Sequence, residues 1–236
     1  MIIVLCVMVA VLCNFGGSVT GRRIVADTAR ETALANALPD QEGFQGYQQL
    51  SDPLLVLVNG EVSLPEDWGF LPFLVDDEVV DRRMAEDLSQ MLHDAEAEDV
   101  WLWVASGYRS RERQQALLDQ AVQENRKAGM GEEAALEDAL KTLAKPGHSE
   151  HETGLALDFN DVSPGFAGTK ASSWLKAHAW KYGFVQRYEG DKADVTGVEE
   201  ESWHYRYVGR DNAEEMKRLD LCLEEYVLYR KALGKT

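Results

Sequence analysis

Residues 147–158, Gly-His-Ser-Glu-His-Glu-Thr-Gly-Leu-Ala-Leu-Asp, constrain this chain more than any other stretch. They run into Leu155-Ala156-Leu157-Asp158-Phe159, where large apolar residues alternate with a small one and a carboxylate. A period of two marks a strand with one buried face. Leu155, Leu157 and Phe159 then enter a core, while Asp158 faces the other way beside the small Ala156. His151 precedes Asp158 by an odd spacing, so one straight strand cannot present both on the same face. Gly154 supplies the bend that reunites them, because glycine tolerates backbone angles other residues avoid.

A second alternating stretch covers residues 203–208. Trp203, Tyr205 and Tyr207 point one way, and His204 and Arg206 the other. His151, Asp158 and His204 together form the donor set of a catalytic zinc site: imidazole and carboxylate ligands with one position left for water. His148, three residues before His151, is an alternative ligand. Glu201 lies three residues before His204 and is a candidate general base. Spacing alone does not separate it from Glu199 and Glu200, with which it forms an acidic run that also reads as solvated surface. In Ser106-Gly107-Tyr108-Arg109-Ser110 a strand gives way to a helix. Arg109 there is a fixed cation, suited to an oxyanion or to a substrate carboxylate. Taken singly, each of these residues also fits an ordinary structural or surface role.

The rest of the chain reads as strands and helices in irregular order, which implies an α+β fold. Residues 54–58 read as a strand followed by an Asn59-Gly60 turn. Residues 79–95 and 132–144 read as helices, the second broken by Pro146-Gly147. Residues 99–106 read as a strand, and Ser110 caps the helix that follows. A helix over 172–182, a short strand over 184–186 and one amphipathic helix over 212–233 complete the pattern. His93 and His178 fall in helical patterns as ordinary surface or boundary residues.

The formal net charge of −17 excludes nucleic acid as a partner, since phosphate contacts need clustered Lys and Arg. Residues 1–12 are almost wholly apolar and the run extends to Val19, short of the roughly 20 residues that span a membrane comfortably. It fits an export signal cut after Gly21, or an N-terminal membrane anchor through residues 1–19. Its polarity is unusual, because no Lys or Arg precedes it and Arg22-Arg23 follow it. Cys6 and Cys13 lie in this leader, so Cys222 alone remains in the body and no internal disulfide framework is expected.

The elements Ser106-Gly107-Tyr108-Arg109-Ser110, Ser149-x-His151-x-x-Gly154-x-Ala156-x-Asp158 and Glu201-x-Trp203-His204-Tyr205-Arg206-Tyr207 occur in the order found in zinc D-alanyl-D-alanine peptidases. Over residues 54–209 the chain resembles the VanY-type D,D-carboxypeptidases of the LAS-type metallopeptidases. The resemblance implies a hedgehog/D,D-peptidase-like α+β fold, with a small mostly antiparallel sheet carrying the metal and helices flanking it. It implies zinc on His151, Asp158 and His204, Glu201 as the base, and Arg109 as stabiliser of the transition state or orienter of the substrate. Gln114 and Ser149 match positions near the substrate. The implied reaction is hydrolysis of the terminal D-Ala-D-Ala bond of a peptidoglycan stem peptide, releasing D-alanine. The apolar leader argues for a wall substrate outside the cytoplasm. Alternatives are a D,D-dipeptidase, an L-alanyl-D-glutamate endopeptidase of the wall, and a non-catalytic zinc-binding interaction domain. The expected organisation is a leader (1–21), a linker (22–46) and the peptidase domain (47–236).

Overall fold

A computed structural model describes residue 44 and residues 47–235. The expected leader, and the expected linker apart from Phe44, lie outside the described residues. The first strands form a hairpin of β1 (Pro72–Val75) and β2 (Glu78–Asp81). Asp76 and Asp77 join the strands at φ 49° and 68°, the two positive values of a type I′ turn. Helix α1 (Ala85–Ala97) follows and buries Leu88, Met91 and Ala95.

A four-stranded antiparallel sheet forms the centre, in the order β3 (Val104–Ser106), β4 (Ala156–Phe159), β6 (Glu201–Tyr207), β5 (Phe184–Tyr188). Leu155, Leu157, Phe159, Tyr205 and Tyr207 face a core shared with α1 and with α4 (Lys170–His178), as the alternation requires. Asp158 and His204 are direct cross-strand partners on the opposite face. Between β3 and β4 stand α2 (Arg111–Lys127) and α3 (Glu132–Ala139). Ser110 accepts from the Arg113 amide at 3.2 Å and so caps α2. A single turn, α5 (Ala193–Thr196), precedes β6, and α6 (Arg210–Leu219) and α7 (Leu223–Ala232) close the chain over a second core.

The structure corrects several local expectations. Residues 54–58 pair with no strand; a 3₁₀ turn covers Pro53–Leu55 and the rest is irregular. Leu55 and Leu57 enter the core under α6 and α7, whereas Val56 and Val58 enter the core under the sheet. The segment passes between the two, and side chains satisfy its backbone in place of a ladder. Gln49 bonds both the Leu57 amide and its carbonyl, and Arg206 donates to the Leu54 and Val56 carbonyls.

The helix expected from residue 79 begins at Ala85, because Val79 and Val80 belong to the hairpin. Only Val104–Ser106 of the expected 99–106 strand pairs. The expected helix over 132–144 ends at Ala139. The expected C-terminal helix is two, broken where Asp220 turns left-handed at φ 57°. Glu225 then bonds back to the Cys222 amide at 2.9 Å to start α7. No helix among the described residues is long and apolar enough to cross a membrane.

Candidate metal centre

His151 lies on a 3₁₀ turn (Glu150–Thr153) that Gly154 ends in the left-handed conformation, φ 73°. A β-carbon at Gly154 would meet the Phe70 ring at 2.9 Å. Conformation and space therefore both demand glycine there, and the chain bends as the odd spacing requires. His151, Asp158 and His204 are all buried, and one ligand atom from each lies within 4.8 Å of the others. His151 Nε2 is 3.2 Å from Asp158 Oδ2, and His204 Nδ1 is 2.9 Å from Asp158 Oδ1. His151 Nδ1 is 2.7 Å from the Gly107 carbonyl. A carbonyl only accepts, so Nδ1 carries the proton and Nε2 keeps its lone pair for the shared space.

Burial lowers the pKa of His151 and so keeps the ring neutral, with Asp158 opposing it. Asp158 is itself buried, which works against its charge, but the two histidines hold it well below the usual carboxylate range. Burial also works against charge on His204, yet Asp158 and Glu150 push it up to about 9. Positive charge is thus favoured among these carboxylates, and a divalent cation would supply it by displacing the Nδ1 proton. Two imidazoles and a carboxylate, one histidine already fixed through its far nitrogen, suit zinc.

Glu201 would share the face of Trp203 and Tyr205 on a regular strand. The β5–β6 register shifts between the pairs Gln186–Tyr205 and Tyr188–Glu201, so β6 bulges there. Its extra residues re-aim Glu201 toward the site, with Oε2 3.9 Å from His204 Nδ1. Burial raises the Glu201 pKa, with Asp158 and Glu150 adding to the effect and His204 and Arg109 opposing it. Glu199 and Glu200 are exposed, so burial separates the three glutamates where spacing did not.

Arg109 donates from Nη2 to Asp158 Oδ2 at 2.7 Å and from Nε to Ser106 Oγ at 3.0 Å. Its amide bonds the His151 carbonyl, so its backbone and side chain both reference the site. Ser149 opens the His151 turn and is 5% exposed. Gln114 is buried; Nε2 donates to the Ala144 carbonyl, and Oε1 is buried without a hydrogen-bond partner. His148 turns away to the Asn59 carbonyl at 2.8 Å.

Glu150, Tyr188 and Gly107 also belong to the site, with roles that no local pattern announces. Tyr188 stacks on His204 with ring centroids 5.1 Å apart. Glu150 is buried with Oε1 held by Arg187 and Arg206, each at 2.8 Å. Its place beside His151 was the one available signal. Its partners, 37 and 56 residues away, leave no local pattern.

A family model for D-alanyl-D-alanine carboxypeptidase, VanY, matches residues 77–210. A D-alanyl-D-alanine carboxypeptidase of Enterococcus faecalis is 38% identical over 212 residues, covering 89% of this chain and 75% of that protein. Among solved structures, a vancomycin-resistance D,D-pentapeptidase VanY variant in complex with Zn(II) superposes with a TM-score of 0.68 at 38% identity. That match covers 74% of this chain and 99% of the other. VanYB in complex with D-alanine-D-alanine gives 0.67 at 38% identity, over 73% and 96% of the two chains. Site, fold and family model agree, and the chain belongs to the VanY family of D-alanyl-D-alanine carboxypeptidases.

Proposed function

We propose that this chain is a zinc carboxypeptidase that removes the terminal D-alanine from peptidoglycan stem peptides ending in D-Ala-D-Ala. The observation that carries the reading is the buried His151–Asp158–His204 group with Glu201 and Arg109 converging on it. His151, Asp158 and His204 would hold the metal. Zinc bound there lowers the pKa of a water and polarises a carbonyl. Glu201 takes the proton of the attacking water. The hydroxyl adds to the scissile carbonyl carbon and the carbonyl oxygen takes the electron pair; when that pair returns to carbon the C–N bond breaks, and Glu201 gives its proton to the departing amine. Burial lifts the affinity of Glu201 for that proton, which suits a group that must accept and then release it. Arg109 offers guanidinium N–H groups to the oxygen that gains charge, or to the terminal carboxylate of the substrate. Ser149, at the start of the His151 turn, and Gln114, with its unpaired Oε1, are assigned to the substrate side.

The site of action assigned to the chain is outside the cytoplasm, where the stem peptides of the wall lie. An apolar leader over residues 1–19 fits delivery there, either as an export signal cut after Gly21 or as an anchor. Residues 47–236 are assigned as the peptidase domain.

The test compares D-alanine release from a muropeptide pentapeptide and from free D-Ala-D-Ala, with and without chelator. Chelator-sensitive release from the pentapeptide with the free dipeptide largely spared supports a carboxypeptidase. Preference for the dipeptide reassigns the chain as a dipeptidase, and cleavage between L-alanine and D-glutamate as a wall endopeptidase. Zinc binding with no cleavage of any of these would leave a non-catalytic interaction domain.

A further inference from the structure

We infer that Glu150 is a positioning residue that fixes which nitrogen of His204 meets the metal. The inference rests on the metal reading above and adds a residue to it. The two ligand histidines are oriented differently. His151 is held through Nδ1 by the Gly107 carbonyl and turns Nε2 inward. His204 is the reverse: Nδ1 lies beside Asp158 and Glu201, and Nε2 points away from them into the protein. Nε2 of His204 is buried without a hydrogen-bond partner, and so is Oε2 of Glu150. These two atoms face each other at 3.5 Å, one short shift from a hydrogen bond.

The rest of Glu150 is not free to turn. Oε1 receives Arg187 Nε and Arg206 Nη1, each at 2.8 Å, and both arginine side chains are fully buried. Two fixed donors on one oxygen aim the other at His204. Carboxylate oxygens only accept, so without a metal both ring nitrogens of His204 carry protons, one toward Asp158 and one toward Glu150. A cation among the ligands would displace the Nδ1 proton, while Glu150 would keep the other on Nε2. Tyr188, stacked on the ring, keeps its plane while this happens. A carboxylate behind a ligand imidazole also makes the ring a better donor to a cation.

Glu150→Gln is the informative change. The arginines require an acceptor, so the amide oxygen stays with them and the NH₂ group turns toward His204. Two donors then oppose each other wherever Nδ1 is the ligand. Zinc affinity, measured by competition with a chromophoric chelator, should fall about 10- to 100-fold. Glu224→Gln is the control. It removes the same charge from the same cluster, since Glu224 pairs with Arg187, but Glu224 does not reach His204. It should lower the melting temperature and leave zinc affinity within about two-fold, well below the loss expected at Glu150.

A Glu150→Gln protein that binds zinc as tightly as the unaltered chain overturns the assignment. So does an equal loss in Glu224→Gln, which would trace the effect to buried charge in general. Long-range ¹H–¹⁵N spectra of the unaltered, zinc-loaded protein give a second reading that does not depend on any variant folding. His204 should show a proton on Nε2 and metal on Nδ1, and the opposite arrangement also overturns the assignment. Failure of the unaltered chain to bind zinc would instead sink the metal reading itself.

Discussion

Asp158 and Glu201 are two carboxylates of one site whose surroundings drive them apart. The two histidines hold Asp158 well below its ordinary range despite its burial, whereas burial raises Glu201. The first stays charged as a ligand suits, and the second can pick up and return a proton. Glu201→Ala should therefore keep stoichiometric zinc while kcat/KM falls about 10²- to 10⁴-fold, the span of a general base. Full turnover in that variant, measured as D-alanine release, would remove Glu201 from the mechanism. His204→Ala should lose metal and activity together; zinc retained at one per chain would take His204 out of the ligand set. Arg109 is bound through the fork of its guanidinium, with Nε on Ser106 and Nη2 on Asp158. Lysine keeps the charge but cannot reproduce the fork. Arg109→Lys should cost about 10²-fold in kcat with zinc content unchanged, and kcat near the original would mean that charge alone suffices.

The elements that position these residues were legible where local pattern decides the structure. Alternation placed Leu155, Leu157 and Phe159 in the core and Asp158 opposite, and β4 does this because a one-residue slip would turn its large apolar set onto the site face. Gly154 was readable as the bend, and Ser110 as a cap. The bulge in β6 was not, because it is defined by pairing with β5 and not by the residues of β6 themselves. The irregular 54–58 segment was misread for a similar reason: its apolar run serves two cores, and its backbone partners are Gln49 and Arg206. Gly107 shows how tightly β2 and β3 are joined behind the site. A β-carbon there would collide with the Val79 carbonyl oxygen, a backbone atom that cannot rotate aside, and the Gly107 carbonyl is what holds His151. Gly107→Ala should cost roughly 1–3 kcal/mol in stability and also weaken zinc binding, because relieving the clash moves the carbonyl. Thermal melts and chelator competition check the two effects, and a melt and affinity like those of the original would show that β2 and β3 separate without disturbing the site.

At the scale of the molecule, buried charge ties the site to the C-terminal helices. Arg187 of β5 bonds Glu150 on the His151 turn and Glu224 on α7; Arg206 of β6 bonds Glu150 and the 54–58 backbone. Asn59 completes the link by donating to Glu224 at 3.1 Å. The two arginines and two glutamates balance in charge, and none has access to water. Such a cluster adds little net stability over apolar packing, but losing one member strands a charge in the interior. Glu224→Ala leaves Arg187 and Arg206 sharing one carboxylate, and α7 loses its polar anchor to β5. The expected cost is about 3–5 kcal/mol. For a chain of this size that lowers the melting temperature by on the order of 10 °C. The zinc site should survive below the new transition, because Glu150 retains both its arginines and its place beside His204. Cobalt substituted for zinc should accordingly give the same visible spectrum in Glu224→Ala as in the original at low temperature. A changed spectrum there would mean that α7 shapes the metal centre directly, whereas an unchanged melting temperature would mean that solvent reaches Arg187 once Glu224 is removed.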